Sequence, residues 1–250
     1  DLDRKHVEML LREYVRLLLI EQASAPKVIF MAGAPGSGKS YAIKRLGLTG
    51  KIDIINPDDQ YEKDMKQEGI PMDRAALFAE YQPLKKRFLA AQEAGDKEAI
   101  IALEPEYQRV RSLISRNMEL FSKARKAAKS MKDKMSAERK TFLVDGTGGN
   151  FNEINKQNNK FRDLGYETGM IFVDVPVELS IERDLMRSRK GKRSLGSDVV
   201  IRSWNSVNNN LERYRELFGQ NFFRINAELD GFDQSISENR PRLESFLGLI

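Results

Sequence analysis

An α/β fold with a parallel sheet of about five strands flanked by helices is predicted by three features of the sequence. Short apolar runs that suit buried strands recur along the chain, and segments of helical composition separate them. Strands joined by helical crossovers pair in parallel, and strands of this apolar kind lie in sheets that helices cover. A glycine-rich loop follows the first run directly and precedes a helical segment.

Each element follows from its local pattern. The predicted strands are 27–32, 51–56, 141–145, 169–175 and 221–225. The predicted helices are 4–22, 41–46, 151–164, 177–189, 197–217 and 240–247. Residues 60–140 are rich in Ala, Leu, Lys, Glu and Gln, a composition that favours several further helices. We therefore expect an N-terminal helix within 1–26 and one domain over 27–250 with a helical insertion at about 60–140.

Composition narrows the class of protein. Hydrophobic residues make up 40% of the chain and charged residues 32%, which indicates a soluble globular protein. The sequence contains no cysteine, which excludes disulfides, thiolate metal sites and cysteine nucleophiles. No apolar run approaches the roughly 18 residues that a membrane span needs, so a cytoplasmic protein without a membrane partner is expected. The net charge of +5 favours phosphate-rich partners or reflects only a lysine-rich surface.

The glycine-rich loop matches the pattern G-x-x-x-x-G-K-[ST] of a P-loop, or Walker A motif. It reads Gly33, Ala34, Pro35, Gly36, Ser37, Gly38, Lys39 and Ser40. Glycines allow successive backbone N–H groups to point at an anion, and the following helix adds its positive end. In this motif Lys39 would reach the β- and γ-phosphates, and the Ser40 hydroxyl would bind magnesium. The loop therefore predicts binding of ATP with Mg²⁺.

Two aspartates follow the second predicted strand. Because ligands bind at the carboxyl ends of parallel strands, Asp58 and Asp59 should face the same crevice as the loop. A kinase needs a carboxylate that positions the attacking hydroxyl and accepts its proton, and one of the two aspartates could do this while the other caps the helix; Asp59 is also a candidate for binding the acceptor. The alternative is that the segment from Asn56 to Asp58 serves only as a turn and helix cap.

The third predicted strand is also followed by an aspartate. Its apolar run leads to Asp145, as in a Walker B strand whose carboxylate helps to hold Mg²⁺. Gly146 and Thr147 follow, where the backbone can approach a substrate closely. An ordinary strand end with a tight turn is the alternative.

A basic turn lies between the later helices. Arginines from a mobile segment can stabilise the charge of a migrating phosphoryl group, and glycine allows such a segment to hinge. This turn predicts a basic lid at about 187–196, hinged at Gly191. The basic residues in and beside it are Arg183, Arg187, Arg189, Lys190, Lys192 and Arg193. A solvated charged surface is the alternative.

Together these segments resemble the zeta-toxin kinases and, more loosely, polynucleotide kinases and other small P-loop kinases, including phage kinases of modified DNA bases. The resemblance is carried by Leu143-Val144-Asp145-Gly146-Thr147-Gly148, then Gly165-Tyr166-Glu167-Thr168, and then Ile181-Glu182-Arg183. It covers about Lys27–Asn56 and Thr141–Asn226.

The resemblance implies a P-loop kinase fold and ATP-dependent phosphorylation of a hydroxyl on a nucleotide or nucleotide sugar. It implies that Asp58 is the general base and that Arg183 and Arg193 bind phosphate, and it raises a neutralising antitoxin as a partner. The sequence departs from the toxins at Asp145, where they commonly have glutamate, and in the longer stretch from Gln60 to Lys140.

Two other functions remain open. A row of basic residues lies near the end of the insertion: Lys123, Arg125, Lys126, Lys129, Lys132, Lys134, Arg139 and Lys140. It could follow a nucleic-acid backbone, which suggests a kinase acting on a 5′-hydroxyl end or a hydroxymethylated base, or it is a solvated helix face. The third hypothesis is an ATPase assembly module, which would require arginines from a neighbouring subunit.

Overall fold

A parallel sheet of five strands lies at the centre of the protein. The computed structural model describes residues 6–9, 11–12, 25–228 and 230–249. The strands are β1 (Lys27–Ala32), β2 (Asp53–Ile55), β3 (Phe142–Val144), β4 (Glu167–Asp174) and β5 (Phe222–Asn226). They lie in the order β2-β3-β1-β4-β5, and every neighbouring pair is parallel. The predicted α/β fold is confirmed.

Helices connect the strands and cover both faces of the sheet. They are α1 (Lys39–Arg45), α2 (Pro57–Gln67), α3 (Arg74–Ala94), α4 (Lys97–Ala137), α5 (Phe151–Asp163), α6 (Val177–Arg189), α7 (Ser197–Asn208), α8 (Leu211–Phe218) and α9 (Phe232–Leu247). Among the described residues, no helix is both long and apolar enough to cross a bilayer.

Two apolar layers hold the sheet between its helices. Successive side chains of a strand point to opposite faces, so Ile29 packs with α1 and α9, whereas Phe30 packs with α5 and α8. All six residues of β1 are buried, in agreement with its central position. This burial explains why the β1 boundaries could be predicted from its apolar run alone.

The helices α2, α3 and α4 lie between β2 and β3. Tyr61 and Met65 of α2 pack against Leu120 of α4 beside the sheet. Farther out, α3 and α4 pair through a separate apolar cluster that includes Phe88 and Tyr107, whose stacked rings have centroids 4.3 Å apart. The long α4 thus joins a distal helical pair to the part of the insertion nearest the sheet.

Two predicted helices differ from the structure. The predicted helix 197–217 is interrupted at Asn209–Asn210, where the Asn210 carboxamide donates to the Gly149 carbonyl at 3.0 Å. That tertiary bond favours a break that local periodicity does not reveal. The last helix begins at Phe232 rather than at 240, and contains Pro241 in its interior. The predicted helix 4–22 lies largely outside the described residues.

Candidate active site

The phosphate loop joins β1 to α1 and needs its glycines. Gly36 and Gly38 have φ angles of 82° and 94°, in the left-handed region that side chains disfavour. A Cβ atom on Gly36 would lie 2.4 Å from the carbonyl oxygen of Ser180 in α6. Glycine therefore permits both the tight turn of the loop and its close contact with α6.

Arg183 fastens α6 to this loop. Its Nη1 donates to the carbonyls of Ser37 at 3.2 Å and Gly36 at 3.4 Å, and its Nη2 donates to the Ala227 carbonyl at 2.9 Å. Burial lowers the pKa of the guanidinium. The structure thus places Arg183 against the loop backbone, where it also fixes the segment that follows β5.

Lys39 lies at the centre of the charged groups. Its Nζ donates to the Gly33 carbonyl at 2.8 Å and approaches the Ala34 carbonyl at 3.4 Å. Burial lowers the pKa of the ammonium group, while the carboxylates of Asp145 and Asp58 raise it. Charged residues that follow β1, β2 and β3 therefore interact electrostatically, as expected at the carboxyl edge of a parallel sheet.

Asp145 follows β3 and is buried, with 8% of the residue exposed. Its Oδ1 has no hydrogen-bond partner among the described residues. Burial raises the pKa of this carboxyl, and the charge of Lys39 only partly offsets that effect. A buried carboxylate oxygen without a donor is costly unless a cation compensates it, so this chemistry fits a bound metal ion.

A Mg–nucleotide complex fits the loop. Ser40 is the second residue of α1 and is exposed, as a hydroxyl ligand requires, while Asp145 supplies a carboxylate oxygen. The buried Ser37 hydroxyl also lacks a partner among the described residues, which leaves a donor for an anion. Ser40 and Asp145 are the residues that would hold Mg²⁺, with phosphate oxygens and water as the remaining ligands.

Neither aspartate after β2 caps the helix. The cap of α2 is Asn56, whose side-chain oxygen accepts the Asp58 backbone N–H at 2.9 Å. Asp58 is left free to bind Arg193, whose Nη2 lies 2.5 Å from Asp58 Oδ2. Asp59 accepts from the Asn56 amide at 3.1 Å, and burial together with the charge of Asp58 raises its pKa. Glu62 lies 3.3 Å from Arg193 Nε and completes the carboxylate pair.

The segment 190–196 that carries Arg193 is bound at its far end. Asp184, only 2% exposed, accepts from the Ser194 hydroxyl at 2.8 Å and from the Leu195 and Gly196 backbone N–H groups at 3.1 Å each. These bonds set the path of the segment after Arg193.

The same segment contacts the insertion. Asp73, the cap of α3, accepts from the Ser188 hydroxyl at 2.7 Å and forms a parallel bridge with Ser194. The segment between α6 and α7 therefore lies directly on the start of α3.

The turn after β3 lies beside the phosphate loop. Gly146 and Thr147 are exposed, and the Thr147 carbonyl accepts the Gly33 N–H at 3.0 Å, which holds this turn beside the phosphate loop. The Tyr214 hydroxyl donates to the Gly148 carbonyl at 2.6 Å, and burial raises its pKa to about 12. The turn is thus fixed from both sides.

Two residues of the site, Glu62 and Asp184, were not among the sequence candidates. Arg187, one of the basic residues of the predicted lid, lies close enough to lower the pKa of Lys39. Glu62 follows Asp58 by four residues on a helix, a spacing that could have indicated it. Asp184 carried no sequence signal, because its role depends on a loop that returns to it.

Solved structures resemble this chain in fold. A candidate kinase from Chloroflexus aurantiacus aligns with a TM-score of 0.53 at 12% identity, over 90% of this chain and 100% of that chain. A chain from the PezAT toxin–antitoxin system of Streptococcus pneumoniae gives 0.49 at 16% identity, over 96% and 95% of the two chains. A gluconokinase from Sinorhizobium meliloti gives 0.45 at 13% identity, over 90% and 97%.

Sequence comparison assigns the family. No curated protein sequence matched the chain. The model of a family described as an AAA domain matches residues 28–214, which include the phosphate loop, the insertion, the segment 190–196 and the first four strands. Since that match covers well over half of a chain whose sheet and loop are those of a P-loop protein, the chain belongs to this AAA-domain family.

Proposed function

We propose that the protein is an ATP-dependent kinase, with zeta-toxin-like chemistry, that transfers the γ-phosphoryl group to a hydroxyl of a nucleotide or nucleotide sugar. One observation carries the proposal. Three charged groups lie close enough to interact electrostatically. They are the ammonium of Lys39, the carboxylate of Asp145, which lacks a donor at Oδ1 among the described residues, and the carboxylate of Asp58, which Arg193 binds. In this proposal 27–250 forms one kinase unit, with 60–140 as an insertion and 187–196 as a lid.

On the nucleotide side, the backbone of Gly33–Ser40 and the ammonium of Lys39 bind the phosphates of ATP. Ser40 and Asp145 hold Mg²⁺, which when bound neutralises part of the charge on the phosphate oxygens. Arg183 keeps the loop in its phosphate-binding shape and adds positive charge beside it. Holding the reactants in place accounts for much of phosphoryl-transfer catalysis.

On the acceptor side, Asp58 positions the attacking hydroxyl and accepts its proton. The hydroxyl oxygen forms a bond to the γ-phosphorus, and the bond from that phosphorus to the bridging oxygen breaks, so ADP leaves with the electron pair. Arg193, bound to Asp58 before the reactants enter, turns to the migrating group and neutralises its charge. Asp59, Gly146 and Thr147 line the acceptor.

Nucleic acid is less well supported as the acceptor. Of the basic row on α4, Lys123 pairs with Asp64 at 3.0 Å, and Lys132 donates to Gln157 at 2.7 Å. Lys134 and Lys140 both approach Glu138. Three of the eight basic residues therefore have a carboxylate partner and Lys132 has a neutral one, so part of the row is engaged within the chain. An assembly ATPase is also disfavoured, since Arg183 and Arg193 come from the same chain as the loop.

The variant Asp58→Asn tests the assignment. We expect ATP affinity within about twofold of wild type and turnover lowered by about 10²–10⁴-fold, the usual contribution of a general base. Equilibrium titration with a fluorescent ATP analogue measures the first, and transfer of labelled γ-phosphate measures the second. Asp163→Asn, an exposed aspartate at the end of α5, is the matched control. Transfer by Asp58→Asn at the wild-type rate would remove Asp58 from the mechanism.

A further inference from the structure

A group of guanidinium ions and aromatic rings lies beside Asp58, on the insertion. The Arg193 guanidinium lies 5.6 Å from the Tyr61 ring centroid, and the Tyr61 ring meets the Phe121 ring edge-on at 5.4 Å. On the far side, the Arg74 guanidinium lies 5.9 Å from Phe121 and 5.4 Å from Phe78. A chain of contacts therefore joins Arg193, which binds the candidate base, to Arg74; Tyr61 within it is fully buried, whereas Phe121, Phe78 and Arg74 are partly exposed.

The guanidinium ions of this group differ in how far carboxylates neutralise them. Arg193 has two carboxylate partners, Asp58 and Glu62. Arg74 and Arg125, by contrast, face only rings in the described part of the chain, with Arg125 lying 5.9 Å from the Phe121 centroid. Aromatic faces hold an arginine in place without neutralising it, so its fork of N–H donors stays available to an anion.

Arg74 is also held at a defined position. It is the first residue of α3, and the preceding Asp73 caps that helix by accepting the Ala76 N–H at 2.9 Å. The other oxygen of Asp73 accepts from Ser188 at the end of α6. Arg74 is therefore anchored where the insertion meets the lid segment, rather than on a free surface.

Backbone and side-chain contacts link this position to the candidate base. Asp73, which precedes Arg74, forms a parallel bridge with Ser194, and the adjacent Arg193 binds Asp58. The Tyr61 hydroxyl is buried and donates to the Asn117 side-chain oxygen at 2.8 Å, so it supports this region without facing a ligand. An acceptor of nucleotide size could present its hydroxyl to Asp58 while its anionic part reaches Arg74.

The geometry points to an acceptor subsite in which Arg74, assisted by Arg125, binds a phosphate group of the acceptor through charged hydrogen bonds. This inference rests on the proposed function for the identity of the bound molecule. It assigns the insertion the task of selecting phosphate-bearing acceptors over neutral ones such as nucleosides. Arginine suits that task because its planar fork matches phosphate geometry.

Binding of pyrophosphate to the full chain tests the subsite without requiring phosphoryl transfer. The phosphate loop is first saturated with Mg²⁺ and a non-hydrolysable ATP analogue, and pyrophosphate is then titrated by calorimetry. We expect a second equivalent to bind to wild type, and Arg74→Gln to weaken it by about 10-fold or more, as loss of a charged hydrogen bond predicts. Arg87→Gln, an exposed arginine farther along α3, should bind it as wild type does.

The outcomes separate this inference from the proposed function. Loss of the second equivalent in Arg74→Gln alone supports the subsite, even if no acceptor in a transfer panel becomes labelled. Equal binding by wild type and Arg74→Gln overturns the subsite, as does the absence of a second equivalent in wild type. Analogue affinity that is unchanged in Arg74→Gln shows that the nucleotide site is intact in the variant.

Discussion

At the scale of single residues, the site carries charges that its own side chains do not balance. Burial raises the pKa of Asp145 and lowers that of Lys39, so removal from water disfavours both charges despite their mutual attraction. Phosphate would compensate Lys39, and Mg²⁺ would compensate Asp145. We interpret this as a site arranged for its ligands at some cost to the stability of the free protein.

The raised pKa of Asp145 predicts the pH dependence of Mg–ATP binding. The folded chain holds this proton more tightly than the unfolded chain, so the ionised carboxylate reduces stability at neutral pH, and that cost shrinks as the pH falls through the raised pKa. Mg²⁺ needs the ionised form. As the pH is lowered, the affinity for Mg–ATP should therefore begin to fall while the pH is still above the ordinary aspartate pKa of about 3.9.

Calorimetric titration of Mg–ATP across the acid range measures this dependence. In Asp145→Asn the affinity should be lower at neutral pH and should lose the part of the acid limb that Asp145 causes, so that the two proteins converge at acid pH. If wild type and Asp145→Asn show the same pH profile, Asp145 is not the group that carries the dependence.

The local motif made some site residues predictable, and others depend on distant contacts. The residues from Gly33 to Ser40 form one contiguous pattern, so spacing alone identified them. The bond between Asp58 and Arg193 joins residues 135 apart in sequence, and only the fold brings them together. The Arg183 contacts with the loop carbonyls likewise follow from α6 packing on the loop.

At the scale of elements, the segment 190–196 depends on one buried carboxylate. Asp184 accepts three hydrogen-bond donors from residues 194–196. Asp73 joins the same region to α3 through its bond to Ser188 and its bridge to Ser194. Asp184→Asn removes the charge and replaces one acceptor by a donor. The segment should therefore open more often, since hydrogen bonds to charged groups each contribute about 1.5–3 kcal/mol.

Limited proteolysis measures that opening. Trypsin should cut after Lys190 and Lys192 about 10-fold or more faster in Asp184→Asn than in wild type, with the cut sites identified by mass spectrometry. Asp163→Asn serves as the control for loss of an aspartate charge, and the thermal midpoint shows whether the rest of the fold persists. Equal cleavage rates in Asp184→Asn and wild type would show that Asp184 does not hold the segment.

Element boundaries were predictable where the local pattern alone sets them. The fully buried β1 and the mostly exposed helix Val177–Arg189 both agree with their predicted limits. The break between α7 and α8 was missed because it depends on Asn210 bonding to the turn after β3. β2 and β3 are shorter than predicted, at Asp53–Ile55 and Phe142–Val144.

At the scale of the whole molecule, the proposed function assigns the nucleotide to the edge of the sheet and the acceptor to the space between that edge and the insertion. The phosphate loop and Asp145 lie at the carboxyl ends of β1 and β3, while Tyr61, Arg74 and Phe121 belong to helices inserted between β2 and β3. The lid segment touches both parts. A common P-loop core can thus take a different acceptor when its insertion changes.

The parallel sheet was predictable from alternating strands and helices, but the acceptor subsite was not. Composition indicated helices over 60–140 without showing which face would meet the loop. The contact between Asp73 and Ser188 sets that orientation, and it joins residues 115 apart in sequence.

The most direct test of the central claim is transfer of labelled γ-phosphate from ATP with Mg²⁺ to a parallel panel of acceptors. The panel contains nucleotide sugars, nucleotides, nucleosides, nucleic acids with 5′-hydroxyl ends and DNA with hydroxymethylpyrimidines. We predict label on a nucleotide or nucleotide sugar, lost in Asp58→Asn and retained in Asp163→Asn. Label on nucleic acid alone would contradict the proposed acceptor, and label only in free phosphate across the whole panel would contradict the kinase assignment.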